Sequence, residues 1–204
     1  MGVYRERILP RLVDRACGTA DLRSWRERAT DGLHGVVVEI GFGSGLNVPH
    51  YPDEVTLVHA IEPAGAALEL ARQRIEEHPV EVEHHRLDAE RLPLDDDSCD
   101  GALSTFTLCT IPDVDTALAE IRRVLRPGMP FHFLEHGRSP DEPIARWQRR
   151  LEPVQRRLAG GCHLTRSPAE MVEAAGFELQ WAESRYARGP KPWTWFTMGV
   201  ALTP

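Results

Sequence analysis

The stretch Val36-Val37-Val38-Glu39-Ile40, followed at once by Gly41-Phe42-Gly43-Ser44-Gly45, constrains this chain more than any other. A β-branched run without polar alternation reads as a parallel strand buried on both faces. Three alternating glycines then allow a sharp turn in which no Cβ stands between the backbone and a ligand. A strand feeding such a loop is how an open α/β sheet builds a ligand site at the carboxyl edge of its strands.

The spacing separates cofactor classes. A dinucleotide fingerprint needs G-x-G-x-x-G, but Leu46 stands where the third glycine belongs and Gly45 comes one residue early. Acids recur at successive strand ends: Glu39 just before the loop, Glu62 after Thr56–Ile61, and Asp88 after Val80–Leu87. Glu62 follows Gly41 by roughly 20 residues, the interval of a ribose-binding carboxylate. Three carboxylates suit an ammonium, a sulfonium and ribose hydroxyls, whereas they would repel a pyrophosphate. S-adenosylmethionine (SAM) carries the first set of groups and no phosphate. An NAD(P) oxidoreductase is disfavoured on the same grounds.

At 204 residues the chain has room for one domain, residues 1–204, with a sizeable core. The net charge of −7 argues against nucleic acid as the main partner. No apolar run approaches the ~18 residues of a membrane span, and Met1–Pro10 lacks the apolar stretch of a secretory signal. Cys17, Cys99, Cys109 and Cys162 are widely spaced without a C-x-x-C pair. That excludes an obvious zinc ribbon or disulfide scaffold and fits a reducing cytoplasm. A cytoplasmic protein with no integral membrane segment is expected.

Taken in order, residues 1–28 read as one or two helices, with Tyr4, Ile8 and Leu12 on one face, a stop at Gly18 and a cap at Asp21. This extension, about residues 1–30, either packs on the domain or forms a flap over cofactor and substrate. Pro49 and Pro52 limit any helix after the glycine loop. Ala64–Glu77 predicts a helix with Leu68, Ala71 and Ile75 inward. Asp100–Phe106 and Met129–Glu135 predict further strands, separated by a helix capped at Asp113 or Asp115 and ended by Pro127-Gly128. Alternating strands and helices predict an α/β fold with a doubly wound, mostly parallel sheet. Ser139–Thr165 then breaks the pattern. There Ile144, Trp147, Leu151, Val154 and Leu158 form one apolar stripe, with five arginines largely off it and Pro153 inside. This insertion, about residues 139–166, is either a surface helix or a lid over the sheet's carboxyl edge. Ser167-Pro168-Ala169-Glu170 reads as a capping box. Two strands, Phe177–Ala182 and Trp193–Leu202, close the chain around a Gly-Pro-Lys-Pro loop.

Glu39–Gly45 resembles motif I of class I SAM-dependent methyltransferases, and Arg123-Val124-Leu125-Arg126-Pro127-Gly128 is similar to their late helix-to-strand signature. Within that superfamily the chain resembles the small group containing the mammalian alkyl-thiol methyltransferases and their bacterial relatives. Five stretches carry this likeness: Gly45-Leu46-Asn47 through Tyr51-Pro52, Leu108-Cys109, Phe133-Leu134-Glu135-His136, Trp147-Gln148 with Leu151-Glu152-Pro153, and Gly161-Cys162-His163-Leu164-Thr165-Arg166. The resemblance covers about residues 36–202. It implies a Rossmann-like sheet of seven strands with one reversed strand near an edge. It also implies positions. Glu39 would hold the methionyl ammonium, and Gly41, Phe42, Gly43, Gly45 and Asn47 would cradle the methionyl part. Glu62 would take the ribose hydroxyls. Asp88 and Ala89 would bind the adenine, flanked by Pro63, and Thr105, Phe106 and Thr107 would lie beside the sulfonium. Mammalian members begin with a hydrophobic membrane-associating segment, whereas the extension here is charged, so a soluble protein is expected.

Methyl transfer from a sulfonium is an in-line displacement needing a nucleophile held near ~3–3.5 Å. A thiol, ionising near ~8.5, needs little help, while a phenol or a carbon nucleophile needs a placed base. His136, after the fifth strand, and His163, in the insertion, are the candidates for a base or an acceptor-orienting group. Cys109, Trp147 and Cys162 are candidates for lining the acceptor pocket. A metal site from Glu135, His136 and His163 is unsupported by spacing, and none is expected. The leading reading is SAM-dependent methylation of a small-molecule acceptor, a thiol by resemblance, releasing S-adenosylhomocysteine. The alternatives are O- or C-methylation of a phenol or quinone, or a SAM-binding protein without catalysis.

Overall fold

Val37 and Val38 fall into opposite hydrophobic layers, as a strand buried on both faces requires. They belong to β1 (Gly35–Ile40) in the computed structural model, which describes residues 4–204 apart from the side chain of Arg5. Met1, Gly2 and Val3 of the expected first helix lie outside the described residues. Around β1 stand β2 (Val55–Ile61), β3 (Glu81–His85), β4 (Gly101–Thr105), β5 (Pro130–His136), β6 (Glu178–Tyr186) and β7 (Trp195–Leu202), in the spatial order β3-β2-β1-β4-β5-β7-β6. The first five pair in parallel, while β7 runs antiparallel to both β5 and β6. The chain winds outward from β1 in one direction and from β4 in the other, so β1 and β4 flank the topological switch point, where such sheets bind ligands.

Helices cover both faces. One layer packs Leu118, Ile121 and Val124 of α4 (Val114–Val124) and Val172 of α6 (Pro168–Ala174) on Val38, Phe131 and Phe133. The other packs Leu22, Trp25 and Ala29 of α2 (Ala20–Thr30) and Ala71 of α3 (Gly65–Glu76) on Val37, Val58, Leu103 and Leu134. Before α2 come a π-helical turn, Tyr4–Ile8, and α1 (Leu9–Cys17), of which no residue is buried. Short apolar side chains spread over a single helix of this length bury too little to hold it strongly.

Local signals differ in how well they hold. Asp113 caps α4, accepting from the Thr116 backbone N–H at 3.1 Å. Ser167 precedes α6 and Pro168 takes its first turn, but the Ser167 side chain accepts no helix N–H, so the expected capping box is absent. Thr19 precedes α2, and Asp21 sits in its first turn rather than at the cap. The Gly-Pro-Lys-Pro stretch is partly a helical turn, α7 (Lys191–Thr194), and β6 continues to Tyr186.

The larger correction concerns α5 (Glu142–Leu158). Its apolar stripe faces outward, with Trp147, Val154 and Leu158 more than half exposed. The inward positions are Ala145 and Gln148, followed one and two turns on by Glu152 and Gln155. Gln148 donates to the carbonyls of Gly137 and Pro192 at 3.0 Å each and accepts from the Ser139 N–H at 2.9 Å. Glu152 accepts from Thr165 at 2.6 Å. Polar side chains win the inner face because the segments beneath are loops with backbone groups to satisfy.

Leu118 is fully buried between α4 and the sheet. Leu118→Ala should therefore lower unfolding stability by about 2–5 kcal/mol, seen as a lower urea midpoint at an unchanged m-value.

Candidate cofactor and acceptor site

A cavity of about 380 Å³ opens at the carboxyl ends of β1, β2 and β4, over the switch point. Its floor and one wall are Gly41–Ser44, Glu62, Pro63, Asp88, Ala89 and Thr105–Thr107. The opposite wall comes from the N-terminal extension and the turn after α5: Leu9, Val13, Cys17, Ala159 and Gly160, and Arg26 joins the floor beside Thr105. The structure thus brings Gly41, Phe42, Gly43, Asn47, Glu62, Pro63, Asp88, Ala89, Thr105, Phe106 and Thr107 to one lining.

Gly41 has φ +64°, and a Cβ there would overlap the Thr107 side chain, so glycine is demanded by both conformation and space. At Gly43 the backbone N–H donates to Glu62 Oε2 at 3.0 Å, and Ala64 N–H donates to Oε1 at 2.8 Å. Burial raises the Glu62 pKa against these two donors. A carboxylate has about four acceptor sites, so Glu62 is fixed in place with acceptor capacity left for hydroxyls.

Beneath the cavity lies a buried polar network. Arg26 Nη1 donates to Asn47 Oδ1 at 2.7 Å and Thr105 Oγ1 at 3.2 Å, and Nη2 reaches the Cys17 carbonyl at 3.3 Å. Asn47 Nδ2 donates in turn to Glu39 Oε1 at 2.7 Å and to Thr105 Oγ1 at 2.9 Å, and the Tyr51 hydroxyl donates to Glu39 Oε2. Glu39 is 1% exposed and stands behind the lining rather than in it. Burial pushes its carboxyl up to about 7, with the bonds from Tyr51 and Asn47 and the charge of Arg26 opposing. Burial likewise lowers the Arg26 pKa, and its Nε has no partner.

The end of β4 is conformationally unusual. Phe106 has φ +55°, a region that costs a non-glycine residue about 1–3 kcal/mol. Glu135 compensates by gripping the loop that follows. Its Oε1 accepts from Ser104 Oγ at 2.7 Å, Thr107 N–H at 2.9 Å and Leu108 N–H at 3.1 Å.

Several expected site residues lie elsewhere. Gly45 lies beneath the loop, against Ala71, Val48 and Phe42. Trp147 is on the outer face of α5, with Arg150 5.8 Å from its ring centre. His163 Nδ1 lies 3.1 Å from Glu152 Oε1, and the His163 backbone N–H donates to the Cys109 carbonyl. His136, Cys109 and Cys162 form a cluster behind the lining: His136 Nε2 is 2.7 Å from Cys162 Sγ, which is 3.7 Å from Cys109 Sγ. The sulfur–sulfur contact with Cys109 holds the Cys162 thiol well below its usual range, burial opposes, and His136 adds to the lowering. Cys162 therefore does have an adjacent imidazole, which the separation of their motifs in sequence concealed. Among the described residues, no histidine lines the cavity.

Two contributors were missed by sequence reasoning. Arg26 shares one helical face with Leu22, Trp25 and Ala29, and a lone charge on an apolar stripe was the available signal. Glu135 offered no signal beyond its place in a motif.

Residues 38–133 match the family described as "Methyltransferase domain". The thiol S-methyltransferase TMT1B of Rattus norvegicus is 30% identical over 169 residues, 80% of this chain and 66% of that protein. The ubiquinone/menaquinone biosynthesis C-methyltransferase UbiE of Caulobacter vibrioides is 44% identical over only 59 residues, 29% of this chain and 23% of that protein. Among solved structures, the [4+2]-cyclase SpnF superposes with TM-score 0.70 at 19% identity, covering 91% of this chain and 81% of that one. The chain belongs to the class I SAM-dependent methyltransferases. The lining fits that cofactor: a Cβ-free cradle at Gly41, an anchored carboxylate at Glu62 and a guanidinium beside Thr105. Among the described residues no helix is long and apolar enough to cross a membrane.

Two outcomes follow from this geometry. Glu62→Ala should weaken SAM binding about tenfold or more, read by calorimetry, with circular dichroism unchanged. For Glu39, whose folded pKa is raised from 4.5 to about 7, the native state holds its proton more tightly than the unfolded chain. The stability this confers is complete below about 4.5 and is lost as pH rises to about 7. Wild type should therefore lose stability relative to Glu39→Gln across that window, by about 3 kcal/mol. A constant difference from pH 4.5 to 8 would contradict the assignment.

Proposed function

We propose that this methyltransferase transfers the methyl group of SAM to the sulfur of a small-molecule thiol. The observation that carries this reading is the apolar character of the cavity's far side, opposite the glycine loop. An acceptor that ionises near ~8.5 supplies its own nucleophile, whereas a phenol or carbon acid needs a positioned base. The apolar far wall, Leu9, Val13, Ala159 and Gly160, suits a weakly polar thiol, and the likeness to TMT1B supports it.

In this reading Glu62 binds the ribose hydroxyls, Asp88 and Ala89 hold the adenine, and Arg26 pairs with the methionyl carboxylate. Glu39 acts at one remove, holding Asn47 and partly neutralising Arg26. When bound, SAM supplies an activated methyl on a sulfonium. The chain positions the acceptor and excludes water: α1 and the turn after α5 close the cavity's outer side. Asp14 clips α1 down, accepting from Ser44 Oγ at 2.7 Å and pairing with Arg74 at 3.0 Å. His136 and His163 play no direct part in this scheme. The short match to UbiE favours quinone C-methylation as the second reading.

Release of S-adenosylhomocysteine should be fast with a panel of alkyl and aryl thiols, and slow with phenols, quinols or no acceptor. Among thiols the rate should climb with pH to the acceptor's own pKa. A preference for quinols, or a pH profile indifferent to thiol pKa, would contradict the proposal.

A further inference from the structure

Three of the most distinctive runs in the chain, Leu108-Cys109, Glu135-His136 and Gly161-Cys162-His163, lie far apart in sequence. The fold brings one side chain from each to a single point. Cys109 leaves the loop after β4, His136 ends β5, and Cys162 lies in the turn after α5. Cys109 and Cys162 are 3% and 5% exposed, and their ligand atoms and the His136 imidazole nitrogen lie within 4.8 Å of one another. The proposed methyl-transfer chemistry uses none of the three.

We propose that Cys109, His136 and Cys162 together bind one thiophilic divalent cation, of the zinc class, behind the acceptor wall of the cavity. The ligand set is two sulfurs and one imidazole nitrogen, which selects Zn²⁺ over Mg²⁺ or Ca²⁺. The spacing supports it. Two thiolates on a tetrahedral Zn²⁺ at ~2.3 Å each lie ~3.8 Å apart, and the two sulfurs here are 3.7 Å apart. The 2.7 Å contact between His136 and Cys162 is a hydrogen bond. The cation displaces that shared proton and the Cys109 thiol proton, both released to solvent, and the ring withdraws by about 1 Å to give Zn–N near ~2.0–2.1 Å. His136 Nδ1 is buried without a protein partner, so a metal on Nε2 leaves the ring N–H to be met by a water rather than by a side chain. Gln155 Nε2 approaches Cys162 Sγ at 3.7 Å, the outer contact that a metal thiolate accepts. Three protein ligands leave a fourth position for water or another small donor.

The ion would add a cross-link among three segments already joined by Glu135 to the Thr107 and Leu108 N–H groups, by Arg166 to the Leu108 and Ile111 carbonyls, and by the His163 backbone N–H to the Cys109 carbonyl at 2.8 Å. Thr110 and Gly160, each within two residues of a ligand, line the cavity, so loading the site stiffens that wall. The proposal does not depend on the identity of the methyl acceptor, because it is tested by binding alone.

The reduced, chelator-treated full chain should take up one equivalent of Co²⁺ with a near-ultraviolet thiolate-to-cobalt charge-transfer band, which Zn²⁺ then displaces. The melting temperature should rise with Zn²⁺. Cys162→Ser and His136→Gln should each weaken binding at least tenfold, whereas Cys99→Ala should leave the band intact. If a variant does not fold, the wild-type stoichiometry and band decide. Uptake without a thiolate band, no uptake, or a Cys109–Cys162 disulfide formed in preference to metal binding would overturn the proposal.

Discussion

A guanidinium enclosed by protein must find partners or destabilise the fold, and Arg26 imposes that condition on this molecule. Its partners come from four parts of the chain: Asn47 beyond the glycine loop, Thr105 at the end of β4, the Cys17 carbonyl at the end of α1, and Glu39 of β1 through Asn47. The cation thereby ties the N-terminal extension to the switch point of the sheet. Burial, opposed by that network, raises the Glu39 carboxyl to about 7, so the charge balance under the cavity is close. In the proposed reading, the methionyl carboxylate entering beside Arg26 shifts that balance.

The rest of the site is held by acceptors that grip backbone. Glu62 fixes the glycine loop through Gly43, and Glu135 fixes the strained exit of β4 through Thr107 and Leu108. Across the cavity, α5 uses Gln148 and Glu152 to hold its neighbouring loops. Function is placed on loops, while rigid elements and buried acceptors limit their freedom.

The sheet was legible because the signals in Val36–Gly45, in α3 and in α4 all agree: propensity, periodicity and caps point the same way. Motif spacing also grouped Gly41, Glu62 and Asp88, and the family resemblance added Thr105. What was not legible has physical causes. Hydrophobic periodicity located α5 and its apolar stripe but not which side of the helix meets the molecule. It has no means of seeing that the surface beneath is loop backbone, which prefers Gln148 and Glu152. Arg26 was hidden because a charge on an apolar stripe is usually read as surface. The pairing of His136 with Cys162 depends on loops whose course no local pattern encodes. The positive φ of Phe106 follows from tertiary packing, including its ring against Phe196 at 5.1 Å.

The central claim is that Arg26, held at the cavity floor by that network, meets the carboxylate of a positively charged nucleoside whose ribose is held by Glu62. Calorimetric titration with SAM and with decarboxylated SAM, on wild type and Arg26→Met, tests it most directly. The account predicts that wild type binds SAM at least tenfold more tightly than the decarboxylated compound and that Arg26→Met erases the difference. Equal affinity of wild type for both ligands, or no binding of either, would contradict it.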